Sequence, residues 1–145
     1  MKNILALMAV CLAALMSGLE ISSVPVILPV LEKQMQANFR ELQWIMNAYT
    51  LSCTAVLMAT GTLADRYGRK RIFIISIIGF GLTSVICGMA ESAFWLIVGR
   101  FLQGLSGGAM LTSLIAILSF QFPQGKARSR AFAAWGCLLY TSDAA

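Results

Sequence analysis

The reading turns on residues 42–90: LQWIMNAYTLSCTAVLMATGTLA (42–64), then DRYGRKR (65–71), then IFIISIIGFGLTSVICGMA (72–90). Two continuously apolar runs flank a short, strongly basic break. Each run is close to the roughly 20 residues a helix needs to cross the hydrocarbon core of a bilayer. Working outward, a third run precedes them from Ile4 to Val30, interrupted only by Glu20, and a fourth follows from Ala93 to Phe120. A fifth begins near Ala131. In lipid only helices or closed barrels satisfy every peptide group, and barrel strands alternate apolar and polar residues over about 10 positions. These runs do not alternate and are far longer. The expectation is an all-α, polytopic transmembrane helix bundle with four complete spans (4–30, 42–64, 72–90 and 93–120) and the start of a fifth.

Composition agrees. Apolar residues make up 59% of the 145 positions and charged residues only 12%, where a soluble domain carries about 25% charged residues. The mean hydropathy is +0.80. A net charge of +5 would suit a nucleic-acid binder if it formed a patch, but the bases fall in short clusters between apolar runs. The bilayer, not nucleic acid, is the partner this implies. Lys2, Arg66, Arg69, Lys70, Arg71, Lys126, Arg128 and Arg130 lie on one side of the spans, against Lys33 and Arg40 on the other. By the positive-inside rule the N-terminus and the 65–71 break are expected in the cytoplasm. Trp44 and Trp95 stand at the outer ends of their spans as interfacial anchors.

Lys2 followed by an apolar run invites a signal-peptide reading, but no Ala-x-Ala-like cleavage site follows and apolar sequence continues through Val30. An uncleaved signal-anchor helix is expected. Cys11, Cys53, Cys87 and Cys137 are widely spaced within apolar stretches and read as small hydrophobes. The chain has no histidine. No phosphate loop, nucleophile elbow or metal-ligand spacing occurs, and Gly79-Phe-Gly81 lacks the rest of a dinucleotide fingerprint. No cofactor, no metal and no enzyme activity are expected.

Two charges cannot escape to a loop: Glu20 in the first span and Arg100 in the fourth. An ionisable side chain at the bilayer centre costs about 2.5–3.5 kcal/mol on insertion scales, so it is expected to face a wet cavity or a partner. Gln103, Gly104, Gly107, Gly108 and Leu111 share the helix face of Arg100, which is polar and small. Gly104 and Gly108 form a G-x-x-x-G along which a neighbouring helix can pack closely, with Gly107 beside them. In the second span Asn47, Thr50, Thr54, Met58 and Gly61 form a weaker polar stripe. Glu20, Arg100, Gln103 and Asn47 are the candidate cavity residues. The third span offers only glycines and hydroxyls and is expected to face lipid. The connection at Glu91 and Ser92 is short enough to make spans three and four a tight antiparallel hairpin.

Residues 61–72, Gly-Thr-Leu-Ala-Asp-Arg-Tyr-Gly-Arg-Lys-Arg-Ile, resemble the signature loop between spans two and three of the major facilitator superfamily. Gly61, Asp65, Arg66, Gly68, Arg69, Lys70 and Arg71 stand at the family's spacing. The resemblance implies a cytoplasmic gating loop in which Asp65 and the bases form a charge-relay latch. Leu96 to Gly108 resembles the family's fourth span, where the arginine matched by Arg100 is associated with proton coupling. Leu19-Glu20 through Leu28-Pro29, with Trp44 and Tyr49, resembles the fourteen-span drug:proton antiporter branch. Two residues depart from the branch pattern, Glu20 for the usual Asp and Pro25 for the usual Asn. The resemblance covers residues 4–136 and implies an N-terminal half-domain fragment. Residues 137–145 do not continue the fifth span and are expected to be a non-native tail.

The function implied is proton-coupled efflux of small drug-like compounds by alternating access, with protons and a small-molecule substrate as partners. The missing C-terminal part of the same chain would supply the opposing wall, leaving the fragment inactive alone. Two readings stay open beside it. One is a metabolite transporter for a sugar or organic anion, with Arg100 as the anion ligand. The other is a small non-transporting membrane protein that associates through Gly104 and Gly108.

Overall fold

A computed structural model describes residues 2–122 and 125–143. They form α1 (Lys2–Met35), α2 (Phe39–Tyr67), α3 (Arg69–Gly88), α4 (Ala93–Gln121) and α5 (Lys126–Asp143). No strand occurs among the described residues, and the all-α expectation holds. At about 1.5 Å per residue α3 is about 30 Å long, α2 and α4 about 43 Å and α1 about 51 Å. Every one of these four reaches the ~30 Å of a hydrocarbon core.

Helix replaces nearly all of the expected 65–71 loop. The 65–71 break is not a loop: α2 runs to Tyr67, α3 starts at Arg69, and Gly68 alone turns the chain at φ 96°. Its N–H donates to the Ala64 carbonyl, and its own carbonyl accepts from the Arg71 and Ile72 amides at 3.1 and 3.2 Å. One residue serves as C-cap of one helix and N-cap of the next. A left-handed φ is open to glycine without steric cost, which is the physical reason for Gly68. Likewise the polar segment before span two is helical from Phe39. There Asn38 Oδ1 accepts from the Glu41 amide at 3.0 Å while Glu41 Oε2 accepts from the Asn38 amide at 2.9 Å, a reciprocal capping box.

Among the described residues three helices, α1 from Ile4, α3 and α4, are both long and apolar enough to cross a membrane. α2, expected as a fourth such span, is long enough but less apolar. The reason is packing. α2 and α4 share the most extensive interface in the molecule, and α2 turns Ser52 and Thr60 inward. Ser52 is tolerated there because it bonds back into its own helix, its Oγ donating to the Ala48 carbonyl at 2.7 Å.

α4 is the centre of the bundle, buried at Leu96, Gly99, Arg100, Gln103, Gly104 and on toward Leu118 at three- and four-residue steps. α3 lies antiparallel to it after the short 89–92 connection. Phe73, Ser76, Phe80 and Thr83 make the buried face of α3, whereas Ile74, Ile75, Ile78, Leu82, Val85 and Ile86 are exposed. Only that outward side is open to lipid, so the span as a whole does not face it. α5 packs on α1, with Ala131 joining Val10 and Ala13 in the apolar core. The helix is continuous through Cys137 to Asp143, while positions 144 and 145 of the expected tail lie outside the described residues.

Candidate functional site

The two intramembrane charges meet. Arg100 Nη1 donates to Glu20 Oε1, closing an ion pair between α1 and α4. The arginine side chain is 6% exposed and the glutamate 19%, so the pair is shielded on most sides. A lone buried charge is costly, and only a good partner plus further hydrogen bonds makes burial tolerable. Those bonds are present. Arg100 Nε donates to the Ile45 carbonyl of α2 at 3.3 Å, and Nη1 also donates to Gln103 Oε1 at 2.9 Å. The guanidinium lies 4.4 Å from the Tyr49 ring centroid, within cation–π range.

Gln103 extends the network to the third helix. Its Nε2 donates to Ser84 Oγ at 2.8 Å, and Cys87 Sγ donates to its Oε1 at 3.7 Å. Ser84 and Cys87 on α3 were not singled out in the sequence. They are recoverable from the hairpin, which pairs residues stepping away from the turn in both directions. A Cβ on Gly99 would meet Cys87 Sγ at 2.7 Å, and one on Gly79 would meet Ser106 Oγ at 2.9 Å. Ser84 opposite Gln103 falls between these two pairs.

Glycines on α4 bring the helices this close. A Cβ on Gly104 would lie 2.4 Å from the Tyr49 carbonyl oxygen, and one on Gly108 would lie 2.6 Å from that of Cys53. One on Gly107 would lie 3.0 Å from the Tyr49 hydroxyl. The G-x-x-x-G face is thus occupied within the chain, by α2.

Beside the ion pair opens a cleft of about 280 Å³ between α1 and α2, lined by Ile21, Val24, Pro25, Met46, Tyr49, Thr50, Cys53, Thr54 and Arg100. It is mostly apolar. Pro25 has no N–H and cannot donate to the Ile21 carbonyl one turn back, so one helical bond is missing where the helix borders the cleft. Asn47, expected as a cavity residue, is exposed and is not among the lining residues. A shift of two to three positions around α2 separates it from Tyr49 and Thr50, which do line the cleft.

At the other end of the bundle Arg69 donates from Nε and Nη2 to Asp65 Oδ1 at 3.3 and 3.1 Å, across the Gly68 turn. Its Nη1 donates to the Ala116 carbonyl of α4 at 3.2 Å, and its guanidinium lies 5.9 Å from the Phe120 ring. Arg66, Lys70 and Arg71 are exposed. Gly61, placed in the gating loop by sequence, sits inside α2 with open space where a Cβ would be.

Long apolar helices holding a shielded carboxylate–guanidinium pair at the wall of a cleft are the features of a multi-pass membrane protein. The chain belongs to the Major Facilitator Superfamily, whose family model matches residues 10–141. It is similar to the tetracenomycin C resistance and export protein of Streptomyces glaucescens, 33% identical over 96% of this chain and 26% of that protein. It is also similar to the multidrug resistance protein Stp of Mycobacterium tuberculosis, 35% identical over 92% of this chain and 25% of the relative. The puromycin resistance protein pur8 of Streptomyces alboniger is 32% identical over 91% of this chain and 26% of its own length. The chain spans about a quarter of the length of these relatives.

Proposed function

We propose that this chain forms the N-terminal part of a proton-coupled exporter of small drug-like compounds, working by alternating access in the plasma (inner) membrane with its N-terminus in the cytoplasm. The observation that carries the reading is the Glu20–Arg100 pair at the wall of the α1–α2 cleft. Among its relatives, the tetracenomycin C protein is a resistance and export protein, and Stp and pur8 are resistance proteins. Glu20 is the proton carrier. While it is ionised it neutralises Arg100, and when it takes a proton the guanidinium loses its counter-charge and the contacts that join α1 to α4 weaken. Proton binding is thereby linked to helix arrangement, the requirement for coupling a gradient to a conformational exchange. The cleft receives the apolar body of the substrate, with the Thr50 and Thr54 hydroxyls and the Ile21 carbonyl as polar contacts. Asp65 and Arg69, bonded to the end of α4, form the cytoplasmic latch.

The remaining length of the relatives would provide the opposing wall, and this segment alone transports nothing. The metabolite reading is weaker because Arg100 is already committed to Glu20. The association reading is weaker because α2 already covers Gly104 and Gly108.

The test is to recover the reading frame past the codon for Gly136 and assay the complete protein in everted membrane vesicles with ethidium. Gradient-driven uptake that disappears in Glu20→Gln is expected. Undiminished uptake against the gradient in that variant would sink the coupling role. The same sequencing shows whether residues 137–145 belong to the native fifth span.

A further inference from the structure

Tyr49 touches both parts of the site. It is buried at 8% exposure, lines the cleft, and places its ring 4.4 Å from the Arg100 guanidinium. α4 is shaped around it: the Tyr49 backbone oxygen fills the space above Gly104, and its hydroxyl fills the space above Gly107.

We propose that Tyr49 is the positioning residue that transmits occupancy of the cleft to the Glu20–Arg100 pair. One aromatic ring is at once the wall against which an apolar substrate would lie and the seat of the guanidinium. A molecule entering the cleft cannot displace the ring without moving Arg100 relative to the Glu20 carboxylate. Movement of Arg100 toward an unpaired state, in turn, releases the ring. The inference depends on the proton-coupled reading above and adds to it the element that joins substrate to proton.

The face of the ring, not the hydroxyl, does this work, because the cation–π attraction comes from the ring quadrupole. The hydroxyl matters only through its fit over Gly107. Ethidium uptake into everted vesicles holding the complete transporter, measured with and without a proton gradient, separates the roles. Tyr49→Phe is expected to keep the gradient dependence. Tyr49→Leu is expected to lose about thirtyfold of it, the size of a desolvated cation–π contact.

Full gradient dependence in Tyr49→Leu overturns the inference while leaving the coupling reading intact. Uptake indifferent to the gradient in the unmodified transporter overturns the coupling reading, and the inference falls with it. If Tyr49→Leu does not reach the membrane, Gly107→Ala decides. Its new Cβ presses on the Tyr49 hydroxyl and should reduce gradient dependence, and adding Tyr49→Phe should restore it by removing that oxygen. Gly107→Ala with unaltered gradient dependence overturns the inference.

Discussion

At the scale of single residues, Arg100 carries more of this site than its charge. It serves Glu20, the Ile45 carbonyl, Gln103 and the Tyr49 ring at once. A planar guanidinium with five donors can do this, whereas an ammonium is a point charge on a flexible stem. Arg100→Lys is therefore expected to keep the protein in the membrane but lose gradient-driven uptake. Arg100→Ala strands the Glu20 carboxylate in a shielded site, at a cost of about 3–5 kcal/mol. The expected outcome is a clear fall in thermal stability in detergent, read by fluorescence-detected size exclusion. Arg100→Ala combined with Glu20→Gln should recover much of that stability, because no unpaired charge is left.

At the scale of elements, the seam between α2 and α4 depends on the absence of side chains at particular α4 positions. Gly104→Ala would force a Cβ to 2.0 Å from Ser52 Oγ and 2.4 Å from the Tyr49 carbonyl. Backbone cannot give way as a flexible side chain can, so the helices must separate, at the 1–3 kcal/mol or so typical of overpacking. Gly81→Ala meets nothing within 4 Å and should leave thermal stability unchanged or slightly raised, since alanine favours the helix by about 1 kcal/mol. The start of α2 offers a smaller effect. Asn38→Ala removes the Asn38 half of the capping box and should cost about 1 kcal/mol, measurable by the same thermal assay.

At the scale of the molecule, much of the surface is apolar. The outward face of α3, together with Leu5, Met8, Leu12 and Leu19 on α1, is exposed. In water this would drive aggregation, and in a bilayer it is the lipid-facing surface. The proposed orientation, with the N-terminus in the cytoplasm, is open to a direct test. Lys70, in the basic cluster, and Arg40, at the opposite end of α2, should be labelled from opposite faces. In a cysteine-free background Lys70→Cys in intact cells is expected to be protected from an impermeant maleimide, and Arg40→Cys to react. The reverse pattern would invert the topology and with it the direction of transport.

The helices were legible in the chain because lipid leaves the backbone no other open-chain solution, and long apolar runs announce this locally. The ends were less legible. Gly68 and the Asn38–Glu41 box extend helices into stretches whose polarity reads as loop, since capping bonds satisfy the backbone there better than water-exposed coil. Glu20 and Arg100 stood out by their cost in an apolar run, and Gln103, Gly104 and Gly108 by sharing a helix face. Their partners did not stand out. Tyr49, Ser84, Cys87 and the Ile45 carbonyl join the site from other helices, and which faces of two helices meet depends on packing that no local pattern encodes. Asn47 was polar and on the same stripe as Thr50 and Thr54, but it stands one turn nearer the start of α2 and, unlike them, does not line the cleft. The sequence alone determined a chain of long apolar helices and the two charges that had to find partners. Only the tertiary structure decided that they partner each other, over a tyrosine seated in α4, because that pairing depends on three helices approaching to backbone contact.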